Sequence, residues 1–133
     1  MRKLRAGIVG CGGIANAKHL PAMEKCGLYE VAAFCDIIPE RAQETKEKFG
    51  SSDAKVFTDY RELVKEDLDV VYVTTPNRSH AEISIAAMEA GKDVMCEKPM
   101  ARTYAETEKM LETAKRTGRV LNIAYQNRYR PDS

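Results

Sequence analysis

Short apolar segments alternate with longer amphipathic segments along the whole chain. The apolar segments are continuous and rich in β-branched residues, a pattern typical of strands that are buried on both faces of a sheet. We therefore predict strands at Leu4–Val9, Tyr29–Cys35, Lys55–Phe57, Val70–Thr74, Asp93–Cys96 and Val120–Ala124.

The amphipathic segments are bounded by residues that typically begin or end helices. A proline in the first turn and a glycine after the last turn bound one of them, and two others begin with the spacing of a capping box, Asp59 with Glu62 and Thr103 with Glu106. In the last helix one face carries Thr107, Met110, Leu111 and Ala114, and we expect this face to be buried. The predicted helices are Gly13–Lys25, Pro39–Phe49, a short helix after Asp59, His80–Ala90, and a segment from Thr103 to Gly118.

Strands that alternate with helices predict parallel strands joined by right-handed crossovers. The length of 133 residues fits a single domain. The sequence thus predicts a doubly wound α/β fold, with a mostly parallel sheet and helices on both faces.

Charge and composition disfavour several classes of protein and of site. Lys and Arg number 21 against 20 Asp and Glu, and this balance disfavours a nucleic-acid binder. No apolar run reaches the eighteen or so residues of a membrane span. The four cysteines show no CxxC spacing and only two histidines accompany them, so we expect no metal, no disulfide, and reduced thiols in a cytoplasmic protein.

A glycine-rich turn, Gly10-Cys11-Gly12-Gly13-Ile14-Ala15, directly follows the first strand. It matches the GxGxxG/A pattern, in which glycines let backbone amides approach a pyrophosphate at a helix N-terminus. The alternative is an ordinary tight turn between strand and helix. Asp36 ends the second strand, where a carboxylate accepts hydrogen bonds from the adenosine ribose. The combination predicts dinucleotide binding.

Asp36 also bears on which dinucleotide binds. A carboxylate at this position repels a 2′-phosphate, so we predict NAD as the cofactor and NADP as disfavoured. Arg41 either softens this preference or is a solvated surface charge, and Ile37 either lies against the adenine or packs as an ordinary apolar residue.

Further polar residues follow the later strands, at the edge of the sheet where ligands bind in α/β proteins. Thr75-Pro76-Asn77 and His80 come after the fourth strand, Glu97 and Lys98 after the fifth, and Arg128 after the sixth. A lysine at the mouth of a cofactor cleft can pass a proton to a substrate hydroxyl. The alternatives are a plain loop for Thr75-Pro76-Asn77, a helix cap or satisfied polar group for His80, a solvated salt bridge for Glu97 and Lys98, and a polar surface turn for Arg128.

Taken together and in this order, these motifs resemble the amino-terminal half of the glucose–fructose oxidoreductase / inositol dehydrogenase (Gfo/Idh/MocA) family. The resemblance covers essentially the whole chain. Its matching pieces are the run from Gly7 to Ala15, Asp36, Thr75-Pro76-Asn77 with His80, Ala90-Gly91-Lys92, Glu97-Lys98-Pro99, and Arg128-Tyr129 with Pro131.

The resemblance implies a Rossmann-type sheet and an NAD(P)-dependent oxidoreductase acting on a sugar, polyol or related carbohydrate. It implies that Lys98 is the catalytic residue, and that a cis peptide bond precedes Pro99. The cofactor-binding residues that it implies are Gly10, Gly12, Gly13 and Ile14 at the pyrophosphate, Asp36 at the ribose, and Thr75, Pro76, Asn77, His80, Glu97, Lys98 and Arg128 on the nicotinamide side.

The resemblance also implies a second domain for substrate binding and dimerisation, which this chain lacks. We therefore expect residues 1–133 to be an NAD(P)-binding Rossmann domain, either a fragment of a homo-oligomeric enzyme or a domain that stands alone. On its own the chain is expected to bind cofactor without turning over substrate. Two other functions remain open at this point: a non-catalytic NAD(P)-sensing regulator, and a module that binds ADP-ribose without redox chemistry.

Overall fold

The computed structural model describes residues 3–11, 20–74, 77–97 and 104–124. Its centre is a six-stranded sheet of order β3-β2-β1-β4-β5-β6 in which every neighbouring pair is parallel. The strands are β1 (Leu4–Val9), β2 (Tyr29–Cys35), β3 (Lys55–Phe57), β4 (Val70–Val73), β5 (Asp93–Glu97) and β6 (Leu121–Ala124). The predicted parallel sheet is confirmed.

A helix follows each of the first five strands, which is the connection that parallel strands require. Asp59 caps one of these helices, because its side chain accepts a hydrogen bond from the Arg61 amide at 2.9 Å. The side chain of Glu62, the partner in the predicted capping box, instead accepts a hydrogen bond from the Lys65 ammonium at 3.4 Å. The helices are α1 (Leu20–Cys26), α2 (Pro39–Phe49), α3 (Tyr60–Leu63), α4 (Asn77–Glu89) and α5 (Tyr104–Thr117).

Two hydrophobic cores lie on opposite faces of the sheet. Alternate residues of a strand belong to different cores. In β4, Val71 and Val73 pack with residues of α3, α4 and α5, whereas Tyr72 packs with residues of α1 and α2. The strands are apolar without interruption because both of their faces are covered. The doubly wound α/β fold with helices on both faces is therefore confirmed.

Several details differ from the expectation. Helix α4 begins at Asn77 rather than His80, and β4 ends at Val73, which leaves Thr74 outside the strand. The end of α1, the end of α4, the end of β5 and the start of β6 each differ by one residue from the predicted positions. In α5 the side chain of Leu111 is 52% exposed, whereas Thr113 is buried. Thr113 tolerates burial because its hydroxyl donates to the Lys109 carbonyl at 2.8 Å.

Ser84 gives a first test of the packing. Its side chain is fully buried in α4, and its hydroxyl has no hydrogen-bond partner among the described residues. Since a buried hydroxyl without a partner destabilises the folded state, we expect Ser84→Ala to raise the free energy of unfolding by about 1 kcal/mol. Urea denaturation measures this change in the free energy of unfolding. The control is Thr113→Val, which removes a hydroxyl that has a hydrogen-bond partner. Destabilisation by Ser84→Ala would show that this hydroxyl is satisfied in solution.

In the part of the chain that the structure describes, no helix combines the length and the apolar character needed to cross a lipid bilayer.

Candidate functional site

The order of the strands creates one distinctive position in the sheet. From β1 the chain moves outward to β2 and β3 on one side, and from β4 outward to β5 and β6 on the other. Strands β1 and β4 are neighbours at the point where this direction reverses. Ligands of open α/β sheets bind at such a switch point, beyond the carboxyl ends of the strands. The residues at those two ends are Gly10 and Thr74.

Gly10 begins the turn after β1 with a φ of 98°, a left-handed conformation that glycine adopts without strain. Its amide donates to the Cys35 carbonyl at the end of β2, at 2.8 Å. Its carbonyl accepts a hydrogen bond from the Thr74 hydroxyl at the end of β4. Both strands next to β1 therefore hold the first residue of the predicted phosphate-binding turn.

Asp36 lies directly beside this turn and is only 8% exposed. Its Oδ2 accepts a hydrogen bond from the Cys11 amide at 2.9 Å, and its Oδ1 accepts one from the Ile38 amide, also at 2.9 Å. A carboxylate has about four lone-pair positions, so each oxygen keeps the capacity to accept another hydrogen bond. The carboxylate is thus fixed in orientation and still able to accept hydroxyl groups.

Two residues that the sequence linked to the adenosine lie beyond Asp36. Ile37 is 86% exposed, which argues against the alternative of ordinary packing. Arg41 is exposed in the first turn of α2, where its amide donates to the Ile38 carbonyl at 3.0 Å. Both side chains are therefore accessible to a ligand bound beside Asp36.

The other predicted site residues fall on the same edge or outside the described residues. Asn77 and His80 lie in the first turn of α4, and Glu97 is the last residue of β5. The predicted residues that lie outside the described part of the chain are Gly12, Gly13, Ile14, Thr75, Pro76, Lys98 and Arg128, and the predicted cis bond before Pro99 lies there too.

Sequence reasoning gave no role to two groups that contact the predicted site residues, the Thr74 hydroxyl and the Cys11 amide. Thr74 had one usable signal, a hydroxyl residue placed directly after a buried strand at the switch point. For Cys11 the sequence offers none, because its contact with Asp36 comes from the backbone and spans 25 positions.

The thiols beside the turn are held in their protonated form. Burial raises the pKa of Cys11 to about 12, and the charge of Asp36 adds to the rise. Burial and then the same charge raise the pKa of Cys35, also to about 12. Both folded-state values lie above the ordinary 9.0, so the stability that depends on the protonated thiols is fully present below pH 9 and is lost as the pH rises towards 12.

Thiol chemistry offers a direct test. All four cysteines are among the described residues and no disulfide joins them; Cys26 is exposed, whereas Cys11, Cys35 and Cys96 are buried. Because the thiolate is the reactive form, we expect one thiol of the native protein to react rapidly with an aromatic disulfide reagent at pH 8, and four after unfolding. Cys26→Ser should remove the rapid phase. A second rapid thiol in native protein would contradict the assignment.

Two other features of the described residues bear on ligand binding. Within the described ranges no group of three or more His, Cys, Asp or Glu side chains is placed to hold a metal ion, and the absence of a metal stays a prediction. A cavity of about 360 Å³ lies at the opposite, amino edge of the sheet, beside Gly27, Tyr29 and Gly50. Neither Asp36 nor Gly10 lines it.

Comparison with known proteins identifies the kind of site. Residues 4–125 match the family described as "Oxidoreductase family, NAD-binding Rossmann fold" (Gfo/Idh/MocA). The chain is 38% identical over 128 residues to the inositol 2-dehydrogenase of Salmonella typhimurium, an alignment that covers 95% of this chain and 38% of that protein. The chain therefore spans less than two fifths of the length of this relative.

Solved structures of dehydrogenases and reductases share the fold. The WlbA dehydrogenase from Chromobacterium violaceum, in complex with NADH and UDP-GlcNAcA, superposes with a TM-score of 0.89 at 35% identity, over 96% of this chain and 36% of that one. The 3-ketoreductase KijD10 from Actinomadura kijaniata, in complex with NADP, gives a TM-score of 0.84 at 33% identity, over 92% and 37%. These two relatives carry different dinucleotides.

Proposed function

Since the chain belongs to the Gfo/Idh/MocA oxidoreductase family and comprises its NAD-binding Rossmann domain, we propose that it is the cofactor-binding part of an NAD-dependent dehydrogenase. The enzyme would transfer hydride between nicotinamide and a sugar, polyol or related carbohydrate. The substrate class rests on relatives such as inositol 2-dehydrogenase, and on the WlbA dehydrogenase bound to UDP-GlcNAcA.

One observation carries the proposal of NAD over NADP. The Asp36 carboxylate is nearly buried and bonded to two backbone amides beside the glycine turn. Held in this way, it cannot easily turn away from a 2′-phosphate, whereas its remaining lone pairs suit the two hydroxyls of an unphosphorylated ribose. The residues present therefore fit a dinucleotide.

The proposed division of labour among the residues follows from their positions. When bound, the nicotinamide supplies the redox chemistry. The turn that begins at Gly10 holds the phosphates with backbone amides, and Asp36 orients the adenosine ribose. Lys98, the residue after β5, takes up the proton of the substrate hydroxyl. Asn77, His80, Glu97 and Arg128 would complete the nicotinamide side.

Fluorescence titration of the chain with NADH, NADPH and ADP-ribose tests this function. We expect NADH to bind most tightly and NADPH at least about tenfold more weakly, because a carboxylate beside a phosphate costs more than about 1 kcal/mol. NADH should also bind more tightly than ADP-ribose, since it has additional contacts through the nicotinamide. Equal affinity for NADH and ADP-ribose would instead support a module without redox function.

The rest of the enzyme is part of the same proposal. The chain spans 38% of the inositol 2-dehydrogenase it matches, and we infer a further domain that holds the substrate and forms a homo-oligomer in a full-length protein. The named relatives are a dehydrogenase or a reductase in each case, which favours an enzyme over a regulator. The cytoplasmic location stays a prediction.

A further inference from the structure

We propose that Thr74 is a positioning residue for the cofactor: its hydroxyl holds the Gly10–Cys11 peptide unit in the orientation that serves both the phosphate-binding turn and Asp36. The proposal rests on the proposed function, because it specifies how the same site is set before the cofactor arrives. Thr74 is half-buried and directly follows β4. It contacts the turn after β1 from across the switch point between these two strands.

The Gly10–Cys11 peptide unit is held at both of its polar ends. Its carbonyl accepts the hydrogen bond from the Thr74 hydroxyl, and its N–H donates to Asp36 Oδ2 at 2.9 Å. A peptide unit is planar, so fixing the direction of the carbonyl also fixes the direction of the N–H. Thr74 thereby acts on Asp36 through one rigid group, although Thr74 and Asp36 follow different strands.

The Thr74 backbone is fixed independently of its hydroxyl. Its amide donates to the Val9 carbonyl at 2.9 Å, which continues the pairing of β4 with β1. The hydroxyl oxygen lies against the Gly10 carbonyl and 3.1 Å from the Val9 carbonyl, and it has one proton to donate. Because the strand pairing uses the backbone amide of Thr74, removing the hydroxyl releases the turn and leaves the pairing in place.

A turn that is already oriented binds its ligand without first losing conformational freedom. Loss of one such neutral hydrogen bond weakens binding by about threefold to tenfold. The loss should be the same for NADH and for ADP-ribose, because the turn and Asp36 serve the adenosine diphosphate half that both ligands contain.

The test compares Thr74→Ala, Thr74→Ser and the unsubstituted chain by titration with NADH and with ADP-ribose. We expect Thr74→Ala to weaken both ligands by the same threefold to tenfold factor, and Thr74→Ser, which keeps the hydroxyl, to restore most of the affinity. Asp36→Ala already frees the N–H end of the peptide unit, so adding Thr74→Ala to Asp36→Ala should cost clearly less than Thr74→Ala alone.

Thr113→Ala is the matched control. It removes another hydroxyl bonded to a backbone carbonyl, within α5, and should leave both affinities unchanged. Unaltered NADH affinity in Thr74→Ala, or a loss confined to NADH, would overturn the proposal. Strictly additive effects of Thr74→Ala and Asp36→Ala would overturn it as well.

Hydrogen exchange separates failure of this inference from failure of the proposed function. In the cofactor-free chain, Thr74→Ala should accelerate exchange of the Cys11 amide, measured by NMR, while Thr113→Ala should not. If the unsubstituted chain bound neither ligand, the proposed function would fall, and the Cys11 amide would still show whether the hydroxyl holds the peptide unit. An unchanged exchange rate in Thr74→Ala would refute the positioning role.

Discussion

Replacing Asp36 by alanine is expected to weaken NADH binding by at least about tenfold and to remove most of the preference over NADPH. The substitution deletes the acceptor for the ribose hydroxyls and also leaves the Cys11 and Ile38 amides without their partner. NADPH should lose less affinity than NADH, because the charge that repels its 2′-phosphate disappears together with the acceptor.

Asp69→Ala provides a matched control for this substitution. Asp69 is also a carboxylate that accepts a hydrogen bond from a backbone amide, that of Arg5 at 2.8 Å, but it lies before β4 at the amino edge of the sheet. We expect Asp69→Ala to lower the free energy of unfolding without altering the affinity for NADH. Fluorescence titration beside urea denaturation of each variant separates the two effects.

The relative affinities of the unsubstituted chain for NADH and NADPH decide whether Arg41 contributes to cofactor preference. If NADPH bound as tightly as NADH, the interpretation of Asp36 would be wrong, and the exposed Arg41 guanidinium in the first turn of α2 would be the group to replace next. In that case Arg41→Ala should weaken NADPH selectively. The NADP found in KijD10 shows that a related fold accommodates the additional phosphate.

The sheet was predictable because its signal is local. Residues Val31–Cys35 are all buried, and a strand buried on both faces must be apolar at every position. Helix boundaries were less accurate, since helix ends fray and have no sharp hydropathy signal: α4 extends back to Asn77, three residues before the predicted start.

The face of α5 shows why burial was harder to predict. Hydropathy favoured Leu111 for the core, yet Thr113 is buried and Leu111 is half exposed. A threonine that donates its hydroxyl to the Lys109 carbonyl no longer presents an unsatisfied polar group, so burial costs it little. Hydropathy alone does not register this internal bond.

Gly50 illustrates the same limit in the backbone. The sequence suggested an ordinary glycine end for α2, but the glycine has a φ of −75° and is not left-handed. An added Cβ would lie 2.7 Å from the Lys46 carbonyl oxygen and 2.9 Å from the Phe34 ring. Glycine is needed here for space, which becomes visible only when α2 is packed against β2.

In the candidate site, the sequence predicted which residues come to one edge but not how they are connected. Gly10 and Asp36 were placed by pattern, since each follows a recognisable strand. The bonds that join them, through the Cys11 amide and the Thr74 hydroxyl, span 25 and 64 positions along the chain. Contacts of that kind depend on the register between strands, which a local pattern does not contain.

Replacing Lys98 by alanine in the full-length enzyme is expected to lower turnover by about a hundredfold or more, with NADH affinity nearly unchanged, because general acid–base assistance is lost while the adenosine site stays intact. Lys98 follows Glu97, the last residue of β5, and β5 pairs in parallel with β4 at the switch point. Steady-state kinetics with saturating cofactor, beside an NADH titration of the same variants, measure the two quantities separately.

Two further variants distinguish proton transfer from simple charge. Arginine keeps the positive charge but does not release a proton at working pH, so Lys98→Arg should remain nearly as slow as Lys98→Ala if the lysine moves the proton. Lys92→Ala removes a lysine just before the other end of the same strand and should leave turnover unaltered. Recovery of turnover in Lys98→Arg would reduce Lys98 to a source of charge, and near-normal turnover in Lys98→Ala would remove it from the mechanism.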